Sequence, residues 1–158
     1  MTMTQQATPA RRTDSAISSR SGDSYLESIV QTASPARLRL MLIEKAIDVS
    51  STLARTWREG GVHGPNEHSV KLLDLLNELL SGVVGGNRSD EKAVCGQVAD
   101  LYVFLSQHLV AAESNSDSSA IDEITAVLHV EAETWRAVCA QESTQPAPTQ
   151  SSGLNLQA

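Results

Sequence analysis

Aromatic residues are scarce in this chain: one Phe, two Tyr and two Trp among 158 positions. Any core must then be built mostly from Leu, Ile, Val and Ala, and the unbranched members of that set favour helix. The length suits one domain. Cysteine is nearly absent as well. Cys95 and Cys139 form no CxxC and no Cys/His spacing, which excludes a disulfide framework and a zinc site and leaves two small core residues as the simplest reading. No apolar run approaches the roughly 20 residues that cross a bilayer, so no membrane insertion is expected. Arg11, Arg12 and Arg20 stand near the N-terminus among Ser and Thr without the apolar stretch of a secretory signal, and a cytoplasmic location is expected.

Positive charge is also in short supply. The net charge is -7, and the Arg and Lys residues are dispersed, which argues against a nucleic-acid partner and for a basic or apolar one. No P-loop, GxGxxG or Ser/His/Asp constellation is present. A di-iron bundle needs paired Glu-x-x-His, and none of His63, His68, His108 and His129 has a Glu three residues before it. Neither catalysis, a metal nor a cofactor is expected.

What is present is helical periodicity. Residues 1–24 and 143–158 are rich in Ser, Thr, Gln and Ala and read as disordered tails. The span 25–142 reads as the bundle domain. Within it, breaks at Gly60-Gly61 to Pro65, Gly82 to Asn87 and Ser114 to Ser118 separate four apolar-periodic segments. Short connections predict an all-α, antiparallel up-down four-helix bundle. Ser34 with Pro35 behind it, Asn66, Ser89, and Ser118 or Ser119 are the expected helix starts. Upstream, Tyr25, Leu26, Ile29 and Val30 suffice for a short N-terminal helix or strap, too short to hold without packing on something.

At about 100° per residue, the last helix gathers its apolar residues into one stripe. The first does not: Leu38, Leu42, Ala46, Val49, Leu53 and Trp57 form one stripe, and Leu40, Ile43, Ile47 and Ala54 form another about 120° away. Leu72, Leu73, Leu75, Leu76, Leu79 and Leu80 fill a wide arc of the second helix. In the third, Ala99, Val103 and Val110 stand apart from a core stripe containing Tyr102. Surplus apolar surface of this kind belongs either to central helices with wide buried faces or to a groove for a partner's amphipathic helix. Periodicity alone does not choose.

The segment from Tyr25 through Thr32-Ala-Ser-Pro35, Leu38, Met41-Leu42 and Ala46-Ile47 resembles the start of the FliS family of flagellin export chaperones. Leu101-Tyr102-Val103-Phe104-Leu105 and Thr134-Trp135 extend the resemblance over roughly Tyr25 to Gln141. Ile43 stands where the family usually has Tyr, Glu44-Lys45 replaces an Asp-Gly, and Val103 replaces an Asp.

The resemblance implies a four-helix bundle that binds the C-terminal segment of flagellin, prevents its premature polymerisation and delivers it to the flagellar export gate. The residues expected to hold the client are Leu40, Ile43, Ile47, Leu73, Leu76, Leu80, Tyr102, Val103 and Val110, with Tyr25 and Ile29 as a strap covering part of the groove when it is empty. An unfilled apolar groove also invites homodimer formation when no client is present. The alternative is a generic helical adaptor for another amphipathic helix.

Overall fold

A computed structural model describes residues 33–85 and 87–144. The expected tails, apart from Ser143 and Thr144, lie outside these residues, as does the expected strap with Tyr25 and Ile29. Among the described residues the chain forms four α-helices and no strand: α1 (Pro35–Arg58), α2 (Glu67–Ser81), α3 (Ser89–Glu113) and α4 (Ser118–Thr144). The last helix runs two residues past the boundary expected at 142.

Two of the starts are capped as the sequence predicts. The Ser34 hydroxyl accepts from the Arg37 N–H at 3.2 Å ahead of Pro35, and Asn66 and Ser69 form a reciprocal capping box. The other two differ by one residue. Ser89 is already helical behind Arg88, whose N–H donates to Glu91. The carboxylate of Asp117, rather than Ser118 or Ser119, accepts from the N–H groups of Ser119 and Ala120. A carboxylate there satisfies orphan donors and also complements the positive end of the helix dipole.

Every neighbouring pair of helices is antiparallel, as cross-links at both ends of the bundle demonstrate. Between α1 and α4, Ser34 reaches Glu142, Arg136 reaches Glu44, and Ser50 receives the Thr125 hydroxyl. Arg39 reaches Leu79 between α1 and α2, Cys95 donates to the Val84 carbonyl between α3 and the turn before it, and His108 pairs with Glu123 between α3 and α4. At the opposite end, the Gly64 N–H donates to Ser116 Oγ at 2.7 Å and joins two loops. Ser116 makes that contact at φ 54, a left-handed conformation uncommon for a side-chain-bearing residue. The packing closes a ring, α1 against α2, α2 against α3, α3 against α4 and α4 back against α1, with α1–α4 the most extensive contact.

The core is aliphatic, with Ile43, Leu53, Leu72, Leu76, Leu79, Leu105, Leu109, Ile121, Ile124 and Leu128 fully buried around Tyr102. Cys95 and Cys139 are half-buried free thiols rather than the buried core residues expected, with Cys139 packed against the edge of the core. No described helix is long and apolar enough to cross a membrane.

Candidate functional site

The second stripe of α1 turns inward. Leu40, Ile43 and Ile47 are buried, so the surplus surface expected on them is not exposed. The physical reason is the ring. An element flanked by two neighbours needs two apolar faces, and this one is turned toward α4, the partner reached by Glu44 and Arg58. On the other flank of α1, Leu38 and Leu42 are only half-buried. Leu76 and Tyr102 are core residues too.

The other expected residues do present apolar surface. On α2, Glu78, Leu79 and Gly82 face α1, where they line a groove with Leu38 and Leu42. Leu73 and Leu80 stand about 100° or more round the helix from Leu79, on the flank that meets α3, and both are half-buried. On α3, His108 marks the flank that meets α4, and Phe104 stacks on it with ring centroids 5.5 Å apart. Val103 and Val110, 40% and 50% exposed, share the opposite flank with Ala99 and Ser106 by helical phase. Leu73, Leu80, Val103 and Val110 thus border the α2–α3 seam.

A second apolar surface lies at the end of the bundle where α1 and α3 begin and α2 and α4 finish. Two cavities of about 330 and 320 Å³ adjoin there and share Arg39, Gly82 and Trp135 as walls. Val83, Val84, Val94 and Val98 line one, Leu38 and Leu42 the other. Arg39 is the feature that sequence reasoning missed. Its guanidinium carbon sits 5.2 Å from both the Tyr102 and the Trp135 ring centroids, and Nη1 donates to the Leu79 carbonyl at 3.0 Å. Nε and Nη2 are buried without a hydrogen-bond partner among the described residues. Cation–π attraction offsets part of the cost of that desolvation. A signal existed: Arg39 stands in helical phase with Ala46, Ser50 and Trp57, all buried.

Tyr102, on the inner side of Arg39, donates its hydroxyl to Glu131 Oε2 at 3.0 Å. Burial, reinforced by the Glu131 carboxylate and opposed by Arg39, pushes its phenol well above the ordinary tyrosine value. Among the described residues no three His, Cys, Asp or Glu side chains gather as a metal site would require. The chemistry available is apolar docking beside a half-buried Arg39.

The sequence pattern of the family described as "Flagellar protein FliS" matches residues 18–142. The chain belongs to the FliS family. A relative within it is the "Flagellar secretion chaperone FliS" of Salmonella typhimurium (strain LT2), 28% identical over 123 residues, which covers 76% of this chain and 87% of that protein. Both apolar surfaces fall inside the segment that matches the FliS family.

Proposed function

We propose that the chain is a cytoplasmic flagellar export chaperone that binds the C-terminal segment of flagellin, keeps it from polymerising and delivers it to the flagellar export gate. Family membership and the name of the Salmonella relative support the chaperone role. The observation that carries the binding mode is the apolar border of the α2–α3 seam, formed by Leu73, Leu80, Val103 and Val110. Apolar side chains bordering the seam between two helices are what an amphipathic helix covers in helix-in-groove recognition.

Binding is reversible for a physical reason. A client segment that folds as it docks loses conformational entropy, so a large wrapped surface yields moderate affinity and can be released at the export gate. Leu76 and Tyr102 belong to the core on the two helices that carry the strip, while Leu40, Ile43 and Ile47 hold α1 against α4 and act on the bundle's stability rather than on the client. An uncovered strip pairs two copies.

Calorimetry with the C-terminal segment of the same organism's flagellin tests this reading. Wild type binds, and the Val103→Asp, Val110→Asp double variant binds at least tenfold more weakly, because a charge placed against an apolar client face is left desolvated. Absence of binding by wild type, or equal binding by the charged variant, would overturn it.

A further inference from the structure

Arg39 has no role in the seam just described, yet it is the most unusual polar group in the bundle. Its two unpartnered donors, Nε and Nη2, are the side-on edge of the guanidinium, which grips a carboxylate through two parallel hydrogen bonds. The third side is already used, with Nη1 held by the Leu79 carbonyl at 3.0 Å. The Tyr102 and Trp135 rings are each centred 5.2 Å from the guanidinium carbon, and the Tyr102 hydroxyl lies near enough to feel the cation without making a hydrogen bond of normal length to Nε or Nη2. A planar cation is thus held in place with one bidentate edge unsatisfied.

The surroundings select the ligand. Arg39 is a wall of both end cavities, and the remaining walls are mostly apolar, from Leu38, Leu42, Val83, Val94 and Val98. Glu78 also lines one cavity, but its carboxylate is exposed and makes no ion pair among the described residues. Trp135 is half-buried, common to both cavities and placed against the guanidinium, and the Nε–Nη2 edge is buried, so a ligand reaches it only when the side chains around it move.

The geometry points to Arg39 as a carboxylate-binding subsite for the client: an apolar client segment docks in the end groove and places one acidic group on the Nε–Nη2 edge, with the side chains around that edge moving aside. This rests on the reading of the chain as a flagellin-segment chaperone and adds the recognition chemistry at one end of the client. The charge complementarity is specific. Apolar contact alone would leave the two donors buried and unpaired, whereas a carboxylate turns the same burial into charge-assisted bonds.

A double-mutant cycle between chaperone and client tests it. The probes are the C-terminal flagellin segment, its variants with each Asp or Glu changed in turn to Asn or Gln, and the segment amidated at its C-terminus. One client change weakens binding to wild type by about tenfold or more, and the same change has no effect on Arg39→Met. Arg39→Lys recovers only part of the loss, since an ammonium lacks the fork. Trp135 emission, read in a Trp57→Phe background, shifts on binding the acidic segment and not the neutralised one. Helical circular dichroism of Arg39→Met matching wild type keeps the comparison among folded proteins; if that variant does not fold, Arg39→Lys and the Trp135 signal carry the same comparison. Wild type that binds while every client change costs Arg39→Met as much as wild type overturns the subsite and leaves the chaperone reading standing. Wild type that binds no segment overturns both.

Discussion

Tyr102 donates its hydroxyl to Glu131 from inside an aliphatic core, and its phenol is held above the ordinary value of 10.0 chiefly by burial. The unfolded chain releases this proton near pH ~10 while the folded chain keeps it. The stabilising contribution is therefore complete below that pH and is lost as pH rises beyond it. Tyr102→Phe is expected to lower stability by about 1–2 kcal/mol at neutral pH, through the lost hydrogen bond to a charged acceptor, and to show a shallower alkaline decline. Urea midpoints of both proteins at about pH 8 and about pH 11 check this; parallel decline would refute it. At this scale the sequence was partly legible. Tyr102 stands on the core stripe by spacing, but its neighbour Arg39 sits where charge is unexpected. Helical phase places that residue inside the bundle, and only the three-dimensional arrangement reveals the Tyr102 and Trp135 rings beside it.

Among the elements, α3 is the least embedded at its start: residues 89–94 are all exposed, and Gly96 has open space where a Cβ would stand. Gly96→Ala should therefore stabilise the protein by about 0.5–1 kcal/mol through reduced backbone entropy in the unfolded chain, with no clash in the folded one. A rise in melting temperature measures it, and a fall would mean that this stretch is not a continuous helix. Hydrogen exchange should rank the helices in the same way. The first two turns of α3 exchange fastest, and the middle of α1, which is buried against both α2 and α4, exchanges slowest. Helix starts were legible where one polar residue faced an apolar run, as at Ser34 and Asn66. Before α4, Ser114, Asn115, Ser116, Asp117, Ser118 and Ser119 are all chemically able to cap; in the fold Ser116 is bonded to Gly64 across the loops and Asp117 makes the cap.

For the whole molecule the number, order and orientation of the helices follow from periodicity and short breaks, whereas the direction in which each apolar stripe faces does not. A two-striped helix looks the same in sequence whether its second face meets a client or a neighbouring helix, and the ring closure of α1 on α4 decides the matter. Ile43 and Val103 separate the two fates within one fold. Ile43 is fully buried, so Ile43→Ala should lower the unfolding free energy by about 2–4 kcal/mol, while affinity for the flagellin segment, corrected for the folded fraction, stays within about twofold. Val103 is 40% exposed, and Val103→Asp should do the reverse, changing stability by no more than about 0.5 kcal/mol while weakening binding. Denaturation and calorimetry on the same preparations give both numbers. If Ile43→Ala lost binding without losing stability, the second stripe of α1 would face the client after all, and the ring of four helices would have to open for the client to dock.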